Sequence, residues 1–212
     1  TTSGELATGY LKVTISDEKA TSSEETSISI RKEGSAPAWG AVYEQYFQNI
    51  NDVKKQKGIL NVEKLLFVET NNGTEQQLRP VTPDEPLRVG DKVVIRLVVR
   101  TDREMDYVFL KDLRAGCFEP ADQLSDSVYR DGVWYYQSPT DVSENFFFER
   151  LPQGTFVLEY AVYVSRTGEY AGGISTIQCL YAPEFVSHTE GNIVKVCLLY
   201  TSPSPRDISG SR

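Results

Sequence analysis

The sequence predicts an all-β protein, an antiparallel β-sandwich with little helix. Three observations carry this. Apolar and polar residues alternate with period two, the period of a half-buried strand. Turn-forming clusters punctuate the alternation at intervals of about 8–12 residues, with no helical pattern between them. The 212 residues include 12 Tyr and 9 Phe, an aromatic load suited to a pleated, half-buried surface.

The first candidate strands are 10–15, 26–31 and 40–47. The only helical candidate follows, at 51–57, where Asn51 could cap two turns that Gly58 stops; it is polar nearly all round. A strand at 62–69 leads to the turn Asn71-Asn72-Gly73, and Val89-Gly90-Asp91 opens the strand 91–100. There Val93, Ile95, Leu97 and Val99 share one face. Val94, Arg96, Val98 and Arg100 form the other, which is at least partly wet. Candidates at 107–113, 132–137 and 146–151 follow, the second set off by Asp131-Gly132. The strand 154–165 alternates most cleanly, with Phe156, Leu158, Tyr160, Val162 and Val164 opposite Thr155, Glu159 and Tyr163. The last clear strand is 174–181, after Gly172-Gly173.

These strands divide unevenly. Residues 1–50 hold too few for a sandwich of their own and read as trailing strands of a preceding β-rich module plus the start of a linker. Residues 51–196 carry enough for one complete sandwich, entered through the polar linker 49–58; one continuous domain stays open as the alternative. The tail 197–212 changes composition. Its run from Cys197 to Asp207 resembles the in-frame translation of a sequencing adapter and is expected to be foreign and disordered, so it is set aside from fold reasoning. Without the tail, 20 basic residues face 29 acidic ones, and the net charge of −8 becomes −9. The chain opens with Thr1 and shows no leader, which reads as a missing start.

An acidic balance argues against nucleic-acid binding, which needs a basic patch. No stretch approaches the roughly 18 uninterrupted apolar residues of a membrane helix. With His188 as the single histidine, no site with two His ligands can form from this chain alone, and any triad must use that residue. No Gly-x-Ser-x-Gly pattern supports one, so His188 is expected in a loop, bonded to backbone. Cys117 and Cys179 lack any zinc-type spacing and read as small buried hydrophobes, with a disulfide as the open alternative. Acidic residues are scattered, without calcium-loop spacing; solvation explains them, and none nominates a catalytic pair. No catalytic, cofactor-binding or metal-ligating residue is therefore expected.

The aromatics are the informative feature. Trp134, Tyr135 and Tyr136 are consecutive, and three consecutive strand residues cannot all face one core. Either Tyr135, or Trp134 with Tyr136, must face outward or meet a partner. Exposed aromatics mark binding surfaces: contacts with neighbouring domains, or a sugar-binding platform.

Longer motifs add a resemblance. They are 39–47 (Trp-Gly-Ala-Val-Tyr-Glu-Gln-Tyr-Phe), 89–93 (Val-Gly-Asp-Lys-Val), 107–115 (Tyr-Val-Phe-Leu-Lys-Asp-Leu-Arg-Ala), 145–148 (Asn-Phe-Phe-Phe), 151–160 (from Leu-Pro-Gln-Gly-Thr-Phe) and 173–185 (ending Ala-Pro-Glu-Phe). In that order and spacing they resemble the C-terminal end of bacterial alpha-2-macroglobulin-like proteins of the Bacteroidetes type, over about residues 39–196. The resemblance implies a macroglobulin-like, immunoglobulin-like sandwich that closes a very large exported polypeptide, periplasmic or at the cell surface. It implies a parent that traps proteases by rearranging after a bait segment is cut, in some members with covalent capture by a Cys–Gln thioester. Its partners would be the other domains of the same polypeptide, and target proteases through the parent. The Cys-x-Glu-Gln signature is absent and no bait segment is recognisable, so neither activity is expected in this stretch. Trp134, Tyr135 and Tyr136 would be interdomain contacts. A carbohydrate-binding or adhesin-type sandwich is the alternative, and a polysaccharide hydrolase the weakest option.

Overall fold

Two long strands with strict alternation organise the protein. In β6 (Lys92–Thr101) and β12 (Gly154–Val164), every second residue is branched or aromatic and turns inward. The two pair antiparallel from Gly154↔Thr101 to Tyr163↔Lys92. The computed structural model describes residues 2–5, 10–14, 47–71, 76–82 and 85–197, with positions 29, 31, 33–35, 37, 39 and 40 besides. The chain divides into two units, Thr1–Gln45 and Tyr46–Arg212.

In the first unit, β1 (Thr2–Glu5) and β2 (Tyr10–Val13) form an antiparallel ribbon. Most of the expected strands 26–31 and 40–47 lies outside the described residues, and Ser29 and Arg31 are not in a strand. Phe47, at the end of the second of these, is not in a strand.

The second unit is a sandwich. Its strands continue as β3 (Leu60–Asn71), β4 (Gln76–Pro80), β5 (Leu87–Arg88), β6, β7 (Met105–Leu113), β8 (Phe118–Pro120) and β9 (Asp126–Arg130). After these come β10 (Val133–Pro139), β11 (Ser143–Leu151), β12, β13 (Gly168–Ala171), β14 (Ser175–Cys179), β15 (Val186–His188) and β16 (Ile193–Cys197). One sheet has the order β15-β14-β7-β11-β10-β9, the facing sheet β4-β3-β6-β12-β8, and a small third sheet β13-β16-β5, whose β16–β5 pairing is parallel. Phe146, Phe148, Leu110 and Ile177 from the six-stranded sheet meet Val62, Ile95, Leu97 and Leu158 from the five-stranded one; all are at most 2% exposed. Removing either ring would leave a cavity costing about 3–5 kcal/mol.

Each strand expected from 62 onward is present, usually longer than its alternation suggested. The short strands β4, β5, β8, β9, β13, β15 and β16 were not expected, because two to five residues give little alternation to read. The expected helix 51–57 is a single 3₁₀ turn, Ile50–Asp52, capped by Asn49 rather than Asn51: the Asn49 side chain accepts from the Asn51 amide at 3.1 Å. A segment polar all round has no face to bury and no tertiary support for further turns. Nor does 49–58 run free of the sandwich. The Gln56 amide donates to the His188 carbonyl at 3.1 Å, and the Gly191 amide to that of Val53 at 2.9 Å. At the other end, β16 keeps its in–out alternation through Cys197 and pairs that residue with Arg88. Cys197, the first residue of the expected foreign tail, thus closes a strand; 198–212 lie outside the described residues.

Candidate functional site

The two large sheets differ in their outer faces, although Tyr163 and Leu65 are also exposed on the five-stranded one. On the five-stranded sheet, Lys92 pairs with Glu69 at 2.9 Å, Arg96 with Glu159 at 2.6 Å and Arg100 with Glu63 at 3.5 Å. The Arg96 guanidinium also lies 4.7 Å from the centre of the Phe67 ring. Cross-strand ion pairs of this kind satisfy themselves in water, as the Arg96 and Arg100 positions suggested.

The six-stranded sheet carries rings outward instead. Tyr129 and Trp134 sit 5.0 Å apart between centroids, Tyr136 and Phe147 6.4 Å, and Phe147 stacks on Phe109 at 4.7 Å. Near the next strand, Tyr107 meets Tyr181 edge-on at 5.0 Å. Aromatic rings thus run across four neighbouring strands, with Trp134 63% and Tyr136 45% exposed. Of the three consecutive aromatics, Tyr135 takes the inward phase. It is 6% exposed, packs on Phe146 and Phe148, and burial pushes its phenol above the usual tyrosine range. It therefore leaves the set of contact candidates, and Trp134 and Tyr136 stay.

Two local features shape this face. Asp131 and Gly132 both have positive φ, 52° and 83°, the conformation of a two-residue primed hairpin turn. That turn registers Tyr129 opposite Trp134. Tyr107 has φ 55° within β7, an outlier for a bulky residue, and its carbonyl accepts from the Leu180 amide at 2.9 Å. Beside it, a groove of about 520 Å³ runs between Tyr107, Trp134, Tyr136, Phe147 and Glu149. The sequence reading missed Tyr107, Phe109, Tyr129 and Glu149 as members of this face. The Asp-Gly hairpin was the one signal that could have paired Tyr129 with Trp134.

A second cluster lies inside the sandwich. Asp112, fully buried, accepts from Lys64 Nζ at 2.8 Å, Ser175 Oγ at 2.7 Å and Tyr160 Oη at 2.5 Å. Next to it, Glu144 accepts from Arg114 at 2.9 Å and Gln137 at 2.9 Å, and Arg114 also donates to the Thr140 carbonyl. Burial raises the Glu144 carboxyl, with Gln137 and Arg114 pulling it back. Burial and the adjacent Asp112 hold the Tyr160 hydroxyl well above its ordinary range. Solvation, the expected role of the carboxylates, fails for these two. They are counter-ions within the core, 0% and 2% exposed.

His188 lies in β15 rather than in a loop, opposite Thr176, with Nδ1 3.1 Å from the Thr189 carbonyl. Its backbone is held by Gln56, a residue too polar and too distant in sequence to signal the pairing. Cys117 and Cys179 are buried free thiols, not a disulfide. Burial raises the Cys117 thiol, which keeps it protonated and unreactive. Among the described residues, no group of three or more His, Cys, Asp or Glu is placed to hold a metal ion, and no helix is long and apolar enough to cross a membrane.

Residues 60–184 match the family model of the bacterial alpha-2-macroglobulin MG10 domain. The chain belongs to that family. Solved structures agree in fold with this MG10 domain. Escherichia coli alpha-2-macroglobulin activated by porcine elastase is 18% identical with a TM-score of 0.55, over 68% of this chain and 14% of that one. Native E. coli alpha-2-macroglobulin from domain MG7 to the C-terminus is 16% identical with a TM-score of 0.54, over 67% and 24%. Salmonella alpha-2-macroglobulin reacted with methylamine is 18% identical with a TM-score of 0.53, over 68% and 10%. Among curated proteins, circularly permutated Ras protein 2 of Dictyostelium discoideum is 29% identical over 101 residues, 48% of this chain and 2% of that protein. The chain thus spans a tenth to a quarter of the macroglobulin structures it resembles.

Proposed function

We propose that this MG10 domain is a non-catalytic packing module of a long, exported, protease-trapping polypeptide of the periplasm or cell surface. Its aromatic face seats an adjoining domain of the same chain and so helps hold the resting conformation. The contrast between the two outer faces carries this reading. One is laced with ion pairs, and the other leaves Trp134, Tyr136 and Phe147 between 42% and 63% exposed. Rings left in water would forgo roughly 25 cal/mol per Å² of apolar area that a partner could bury. Bait and thioester functions would lie in other parts of the polypeptide, since Cys-x-Glu-Gln is absent here. This chain alone should neither inhibit nor cleave.

The test is Trp134→Ala with Tyr136→Ala in the intact polypeptide. Limited proteolysis should then cut interdomain segments faster and trap closure should need less bait cleavage; unchanged conformation and trapping would sink the proposal. A carbohydrate-binding or adhesin-type module is the second reading, favoured by the exposure of Trp134 beside a groove. Binding of this chain to a glycan array, abolished by Trp134→Ala, would establish it instead.

A further inference from the structure

The aromatic face is not uniformly apolar: a carboxylate, Glu149, stands among its rings, while the exposed Lys111 lies farther along, opposite Asn145. Phe148 lies opposite Val108 and Arg150 opposite Asp106, which sets Glu149 opposite Tyr107. On the other side, the β10–β11 ladder ends at Tyr136↔Phe147, and beyond it Trp134 and Glu149 face each other only as walls of the groove. Glu149 therefore stands between the Trp134 and Tyr107 positions and lines the groove with them.

Neighbouring charges leave Glu149 without a counter-ion. Arg150 is held by Glu104 at 2.7 Å, and Arg114 is buried with Glu144. Among the described residues, Glu149 makes no ion pair. A covering domain with a purely apolar patch would strip water from this carboxylate and return nothing, an outcome that interfaces avoid. A cation would gain twice. It would pair with the carboxylate, and it would lie on ring faces whose quadrupole is negative. Among protein cations, the flat and weakly hydrated guanidinium suits a slot between rings better than the compact, strongly hydrated ammonium.

We propose that the groove takes an arginine side chain of the adjoining domain, its guanidinium stacked on Trp134 and Tyr136 with Glu149 as counter-ion. The inference rests on the reading that this face is covered by another domain of the same polypeptide. Arginine would act as the anchor that fixes the register of the packing, and the surrounding rings would exclude water from it.

A photo-crosslinking amino acid in place of Ser127, an exposed residue lining the groove, tests both levels in the intact polypeptide. Crosslinked peptides are mapped by mass spectrometry in the parent, in Glu149→Lys and in Glu149→Asp. The expected result is an intrachain crosslink within a few residues of an arginine. Its yield should fall about tenfold in Glu149→Lys, stay near the parent level in Glu149→Asp, and recover when that arginine is changed to Glu in the Glu149→Lys background. An intrachain crosslink to a segment without arginine, with Glu149→Lys at parental yield, overturns the arginine and keeps the covered face. Crosslinks only between separate molecules, or none to protein, overturn the covered face itself.

Discussion

Asp112→Asn is the sharpest test of the core. The substitution keeps side-chain shape and removes the charge that faces Lys64, whose side chain is only 5% exposed. The ammonium would keep the Leu113 carbonyl at 2.7 Å and the Gly172 carbonyl at 3.3 Å, but no anion. Ser175 and Tyr160 would share one amide oxygen where two carboxylate oxygens stood. Breaking a buried pair in this way costs about 3–5 kcal/mol, chiefly through the uncompensated charge. Total stability is typically about 5–15 kcal/mol, so the loss would move a urea midpoint far. Adding Lys64→Met removes the stranded charge, and the double variant should recover at least about 1 kcal/mol over the single one. Urea unfolding followed by fluorescence, with the four-member cycle fitted at a common slope, measures both. A single-variant loss under about 1 kcal/mol, or strictly additive effects, would refute the assignment of this pair as the ionic centre of the sandwich.

Four further outcomes follow from particular residues. Phe146→Ala should cost about 3–5 kcal/mol, whereas Trp134→Ala on the outer face should stay under about 1 kcal/mol in this chain; the same unfolding assay separates them. Gly173→Ala should destabilise by at least about 1 kcal/mol, because φ is +75° and a Cβ would strike the Leu113 carbonyl; a neutral effect would show that the loop relaxes. Lys92 lowers the Glu69 carboxyl, and Glu69 raises the Lys92 amine. That pair's stabilisation is therefore present between the ordinary values of 4.5 and 10.5. It is lost as pH falls through the lowered Glu69 value or rises through the raised Lys92 value. Lys92→Met should thus lie below the parent by less than about 1 kcal/mol inside that window and converge with it outside, as pH-dependent melting would record. Of the three cysteines, native protein should expose one fast-reacting thiol, Cys197, and unfolded protein three; a count still at one after unfolding would mean that Cys117 and Cys179 had paired.

The long strands were legible in the sequence because alternation is local. Val93 to Val99 and Phe156 to Val164 state their faces residue by residue, and a sheet needs no more than that to bury one side. Extended motifs, by their order and spacing along the chain, likewise marked the family. Period alone also required that Trp134, Tyr135 and Tyr136 split between two faces. Only tertiary structure decided the phase, by placing Tyr135 against Phe146 and Phe148. The same holds for the groups that matter most to the core and the candidate site. Asp112 finds Lys64 across 48 residues and Arg114 finds Glu144 across 30. Glu149 meets Trp134 and Tyr107 only because three strands lie side by side. A carboxylate carries no local mark of whether its counter-ion is a neighbouring strand, water or a residue of another domain. Its partner is chosen by the packing of segments distant in sequence, so sequence set the faces of this sandwich and tertiary structure set which charges and rings those faces bring together.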